Sequence, residues 1–205
     1  MKQLIVDYLP FEVKPEQITE SMKENNGKLV VRGVLQRAES KNQNGRIYPR
    51  EVLMRESKKY FKEFISQRRA LGELDHPESS VVNLQNTSHN VKEMHWEGDN
   101  LLGTVEVLGT PSGNILKNLF EAGIKLGISS RGMGSVESVN EGEAQEVQDD
   151  FELIAFDFVS NPSTHGAFMH PMHEGVNNDI EIQAGRACGD YCKVEAVIND
   201  IMRGA

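Results

Sequence analysis

Hydrophobic positions along this chain follow two rhythms, one of period two and one of period near 3.6. KLVVRGVLQRAE, residues 28 to 39, is rich in valine and reads as a strand. SKNQNGRIYP follows as a loop, with a turn signal at Asn44-Gly45. Pro49 suits the first turn of a helix running to about Arg68, with Leu53, Ser57, Tyr60, Phe61, Phe64 and Ile65 on one face. SHNVKEMHWEGDNLLGTVEVLG has the pattern of a hairpin: His89, Val91, Glu93 and His95 lie on one side, and EGDN makes the turn. TPSGNILKNLFEAG reads as a second helix, with Thr110 as N-cap, Pro111 as first helical residue and Gly123 as stop. Ile124, Leu126 and Ile128 then alternate, so the chain enters a strand that carries Ser129 and Ser130 on it or at its end. EVQDDFELIAFDFVSN, residues 146 to 161, holds a further strand, most regular in its second half.

The flanks are more polar. Residues 1 to 12 are apolar and then acidic, and 13 to 27 are polar, so the first ordered element is expected at 28. From about Glu174 the chain turns polar again, with a short amphipathic pattern of Val194, Val197, Ile198 and Ile201. The expected organisation is an N-terminal segment 1–27, a domain 28–173 and a polar tail 174–205. The domain is α+β, mainly β with two flanking helices.

Charge narrows the range of partners. The 205 residues suffice for one domain with a sizeable core, and 38% hydrophobic with 26% charged is a globular composition. A formal net charge of −9 disfavours a nucleic-acid backbone as main partner, because such binding runs on Lys and Arg contacts. No apolar run approaches the roughly 18 residues of a membrane span. MKQLIVDYLPFE carries acidic residues within its apolar patch and does not read as a secretory signal. Cys188 and Cys192 are too few for a disulfide framework and not spaced as a redox pair, so a reducing cytoplasm is expected.

Three stretches offer chemistry. GISSRGMGS, residues 127 to 135, places two serines between glycines; ALGELDHPESS offers His76; FDFVSNPS offers Asp157. A serine attacks only when a base takes its proton and a third group orients that base, and these residues supply all three parts. The plainer alternative is an exposed histidine in a turn and two serines satisfied by strand hydrogen bonds. HGAFMHPMH gathers His165, His170 and His173, but no carboxylate-rich or Cys-rich partner set follows at metal-site spacing, so neither metal nor cofactor is expected.

ALGELDHP, GISSRGMGS and FDFVSNPSTHGAF, in that order, resemble the prohead core proteases of T-even-type tailed bacteriophages, and NGRIYPREVL fits the same family. The resemblance covers roughly residues 28 to 170. It implies a fold similar to the herpesvirus maturation proteases: a mainly antiparallel β-barrel wrapped by helices, with the serine on a barrel strand. It implies His76 as base and Ser129, the first serine of SSRG, as nucleophile. Ser130 would face the other side of a strand. Asp157 is the expected third member, with His165 as the alternative. The backbone around Arg131 and Gly132 is a candidate oxyanion donor, or Arg131 a binder of substrate carboxylate.

The same resemblance implies cleavage after glutamate with an aliphatic residue two positions before it. Glu20 in ITES fits, and Glu12 in LPFEV fits more loosely. The N-terminal segment is therefore expected to be autoinhibitory and self-cleaved. Implied substrates are the scaffolding core proteins and the major capsid protein. The implied setting is the immature capsid in the host cytoplasm, with a homo-oligomer expected by analogy and neither membrane nor nucleic acid engaged. A non-catalytic core protein with the same barrel is the competing expectation.

Overall fold

The computed structural model describes residues 3–7, 15–77, 79–124, 126–139, 142–160 and 169–171. The first element is a strand, β1 (Gln3–Asp7), followed by α1 (Pro15–Glu24). Then come β2 (Val30–Arg37), the two-residue β3 (Arg46–Ile47), α2 (Arg50–Tyr60) with a π-helical turn over Phe61–Ile65, and β4 (Leu71–Glu73). The hairpin β5 (Thr87–Glu97) and β6 (Asn100–Val107) leads to α3 (Pro111–Glu121). The chain ends its described course with β7 (Gly127–Gly134), β8 (Val136–Val139), β9 (Ala144–Val147), β10 (Glu152–Val159) and β11 (Met169–Pro171).

The strands form a five-stranded sheet ordered β11-β2-β6-β5-β4, a three-stranded sheet β1-β7-β10, and a small sheet β3-β9-β8. The first two are antiparallel throughout. They meet just past the end of β4, where Leu74 bridges Phe158 and the Asp75 amide donates to the Phe158 carbonyl at 2.8 Å. The fold is thus α+β and mostly strand, as expected. The described strands do not close into a barrel: β1 and β11 are both left as edges.

Local chemistry accounts for the elements that matter to the site. Thr110 caps α3, its Oγ1 accepting from the Gly113 amide at 3.0 Å, and Gly123 ends that region in a left-handed conformation at φ +73°. In α2, Leu53, Ser57 and Tyr60 are buried as the helical period predicts, but Phe61 is 47% exposed. The π turn explains this. Ser66 N–H reaches back five residues to the Phe61 carbonyl, so Tyr60 and Ile65 face inward and Phe61 is turned out. A bulge between Val91 and Glu93 likewise breaks the expected face of β5: His89 and Val91 are buried, Glu93 and His95 are exposed, and Met94 and Trp96 pack on the core instead.

The core runs between the sheets and under the helices. Tyr48, Tyr60, Phe120, Phe151, Phe156 and Phe158 are all at most 2% exposed. Edge-to-face pairs join Tyr60 to Phe156 and Phe120 to Phe158 at 5.6 and 5.5 Å, a geometry worth about 0.5–1.5 kcal/mol beyond burial. The expectation that order begins at residue 28 is corrected. Ile5 of β1 is wholly buried and Ile18 of α1 is 2% exposed, while Ser21 Oγ donates to the Val30 carbonyl at 2.9 Å. Burial gives these residues their order: that of β1 depends on β7, far along the chain, and α1 is tied to the start of β2.

Candidate active site

Strand register builds the site. Ser129 lies opposite Asp157 in the β7–β10 ladder, and directly opposed residues of an antiparallel pair share one face. Arg131, two residues on, shares that face too. Ser130 faces the other way, where its Oγ accepts from Gln36 Nε2 at 2.7 Å. The histidine arrives from the other sheet. Leu74 docks on Phe158, Asp75 turns the chain at φ +65°, and His76 follows directly above Asp157 and Ser129.

The three side chains form one hydrogen-bond series. His76 Nε2 lies 2.7 Å from Ser129 Oγ, and His76 Nδ1 lies 2.8 Å from Asp157 Oδ2. An ionised carboxylate only accepts, so Nδ1 carries the proton of the neutral ring and Nε2 is left free to accept from the Ser129 hydroxyl. The Asp157 and His76 side chains are 0% and 7% exposed. Such an arrangement can move a proton from serine to histidine while the carboxylate holds the ring.

Asp157 has more partners than His76 alone. Its Oδ1 accepts from the Glu73 amide at 2.9 Å, and Arg131 donates to Oδ2 from Nε at 2.8 Å and to Oδ1 from Nη2 at 3.3 Å. Burial pushes its carboxyl up, but the His76 hydrogen bond, the Arg131 guanidinium and the Glu73 amide outweigh that. The carboxyl is held below its ordinary range. His89, on the neighbouring strand, is fully buried: Nε2 donates to the Phe156 carbonyl at 2.9 Å and Nδ1 accepts from Ser88 at 2.8 Å. Burial drives its pKa down to about 4, so it stands as a neutral brace, in line with a packing role.

Arg131 is placed otherwise than expected. Its guanidinium is fully buried, the largest such side chain among the described residues, and spends its donors on Asp157, on Glu73 Oε1 at 3.0 Å and on the Ser79 carbonyl at 2.6 Å. It is not offered to a substrate carboxylate. Arg131 and Gly132 also sit inside β7 with paired strands on both sides, Gly132 facing Ile5 and Leu153. Ladder amides point along the sheet, which corrects the expectation of an oxyanion donor there. A Cβ on Gly132 would overlap the Phe151 ring, so this glycine serves close packing.

Of the other expected residues, Glu20 is exposed in the body of α1, and Glu12 and His165 lie outside the described residues. So do His173 and the two cysteines; His170 is described only by its backbone pairing with Arg32. Glu73 was missed by sequence reasoning. It stands three residues before His76 in GELDHP, and a lone glutamate among the small and apolar residues of ALGEL was the available signal.

A serine, a histidine and a carboxylate in hydrogen-bonded series, on a mostly β fold, have the geometry that a serine hydrolase centre requires. A family model described as "Prohead core protein serine protease" matches residues 5–178, and the chain belongs to that family. The prohead core protein protease of Enterobacteria phage T4 is 33% identical over 147 residues, which cover 70% of this chain and 68% of that protein. The solved structure of the bacteriophage T4 capsid assembly protease gp21 superposes with a TM-score of 0.67 at 26% identity, covering 78% of this chain and 99% of that one.

Proposed function

We propose that this chain is a self-activating serine endopeptidase that works inside the prohead. Ser129 Oγ attacks a peptide carbonyl while His76 Nε2 takes its proton. The C–N bond breaks as His76 returns that proton to the leaving amine, and water then releases the acyl group by the same exchange. Asp157 fixes the imidazole tautomer and offsets the charge of the imidazolium. Substrates are the scaffolding core and major capsid proteins, cut after glutamate. The acidic surface suits protein partners, and a homo-oligomer within the core belongs to the same reading. So does kinship with the herpesvirus maturation proteases, whose barrel the strands from β11 round to β1 would approximate.

The observation that carries the proposal is the unbroken series Ser129–His76–Asp157, at 2.7 and 2.8 Å. The zymogen part rests on β1, which runs antiparallel to β7 and brings Asp7 opposite Ser130, one position short of Ser129. The chain leaving β1 thus starts beside the nucleophile. Of the two candidate cuts, Glu12 is favoured. Glu20 is held in a helix, with Ile18 and Ser21 buried on either side, and proteolysis needs accessible extended chain.

Intact-mass spectrometry over time tests this, on wild type, Ser129→Ala and Ser130→Ala. Wild type and Ser130→Ala should shed an N-terminal piece ending at Glu12, and Ser129→Ala should stay whole. If all three remain whole even with scaffolding protein added, the non-catalytic core role replaces this one. If Ser129→Ala is cut like wild type, Ser129 is not the nucleophile.

A further inference from the structure

Behind the proposed triad lies a second layer of buried charge. Arg131 and Glu73 are both fully buried side chains, joined Nη2 to Oε1 at 3.0 Å. Arg131 binds both oxygens of Asp157, and the Glu73 amide binds one of them. The same two side chains also hold the segment that follows His76: Arg131 Nη1 donates to the Ser79 carbonyl at 2.6 Å, and the Asn83 amide donates to Glu73 Oε1 at 3.0 Å. The remaining Glu73 oxygen, Oε2, is buried with no hydrogen-bond partner. A buried carboxylate left that way costs stability and needs a reason.

We propose that Arg131 and Glu73 are positioning residues for the proteolytic centre: Arg131 fixes the Asp157 carboxylate, and Glu73 restores the net negative charge that His76 needs when it accepts the Ser129 proton. This rests on the serine-endopeptidase reading. The charge count gives the logic. Asp157 and Arg131 alone sum to zero, so the guanidinium that aims the carboxylate would also cancel its pull on an imidazolium. With Glu73 the buried set carries one net negative charge around a neutral His76, and reaches neutrality when His76 is protonated. The proton transfer thus moves the cluster toward balance in a site where water screens little. Among the described residues, the other titratable groups facing Asp157 are Tyr60 from α2 and His89 from β5, and burial keeps both neutral.

Signs follow. Glu73→Gln keeps the acceptor for Arg131 and Asn83 but removes a negative charge, so protonation nearby becomes harder. Arg131→Gln removes a positive charge, so protonation becomes easier. Arg131→Lys keeps the charge and loses the two-pronged grip on Asp157. The experiment measures cleavage of a Glu-containing peptide against pH for the full chain. Glu73→Gln should move the acid limb of kcat/KM down by about one pH unit and Arg131→Gln should move it up, while Arg131→Lys lowers kcat about 10- to 100-fold with KM little changed.

The same substitutions on a Ser129→Ala background, followed by NMR titration of the histidine rings, should show the same opposite displacements without any catalysis. That arm keeps the two readings apart. Should peptide cleavage prove independent of Ser129, the protease reading fails, and the titrations still judge the charge coupling. Loss of thermal stability in Glu73→Gln and Arg131→Lys with neither limb nor titration moved would make the pair purely structural and overturn the proposal. Opposite displacements in the titration with unaltered kcat in Arg131→Lys would overturn the positioning role of Arg131.

Discussion

At the scale of single residues, the proposed nucleophile, base and acid could be read from the chain because each sits in a short stretch with its own character. The charges behind them could not, since the pairing of Glu73 with Arg131 exists only once β4 and β7 face each other. Asp157→Asn is the sharpest residue-scale prediction. The amide would no longer select the Nδ1–H tautomer, so kcat should fall about 10⁴-fold, while Arg131 and Glu73 remain paired and the fold persists. Kinetics beside a thermal melt would check both halves. His89 sets a pH dependence of stability. Its folded pKa of about 4 lies below its ordinary 6.5, so the folded chain binds fewer protons than the unfolded chain between those values. Stability should therefore fall as pH drops from about 6.5 toward 4. Asp157, also depressed, adds a loss at lower pH, once the solution falls below the ordinary carboxylate value of 3.8. Urea midpoints at neutral pH and across the acid range should show the upper slope in wild type and a flatter one in His89→Gln. Equal slopes would assign that loss elsewhere.

Among elements, those fixed by nearby residues were legible and those fixed by distant ones were not. The β5–β6 hairpin turns at Gly98, with φ +56°, where EGDN suggests, and α3 has its expected cap, first proline and stopping glycine. The π turn after Tyr60 and the bulge after Val91 each change which face is buried, and both answer to packing that periodicity does not carry. The join between β4 and β10 is the element-scale feature on which the site depends. Gly72 lies in it, and a Cβ there would overlap the Phe156 carbonyl oxygen and His89 Nε2. Gly72→Ala should push β4 off β10, cost about 1–3 kcal/mol or more, and carry His76 away from Ser129. Gly109→Ala, with open space around its Cβ, should leave melting temperature and peptide cleavage close to wild type. Activity lost in Gly72→Ala beyond what its stability explains would locate the damage in the placement of His76. Parallel losses would indicate general unfolding.

For the whole molecule, the telling feature is that the N-terminal strand is both part of the core and neighbour to the proposed nucleophile. The sequence pattern put the first ordered element at residue 28, yet β1 pairs with β7 over five residues and buries Ile5 completely. A strand of that length is marginal without its covalent link, because ladder pairing by so few residues barely offsets the entropy of ordering them. The proposed cut at Glu12 would remove that link. Among the described contacts, the ladder and the buried Ile5 then hold β1, and an Ile-to-Ala change at a buried site typically costs about 2–5 kcal/mol. Latency and release would thus depend on Ile5. A synthetic peptide of residues 1–12 should inhibit the processed enzyme in trans. The same peptide with Ile5→Ala should inhibit at least about 30-fold more weakly, the low end of that range expressed as a binding ratio. In the intact chain, Ile5→Ala should shorten the lag before peptide cleavage begins. If the two peptides inhibit alike, or neither inhibits, β1 is a structural strand only and has no part in the proposed latency.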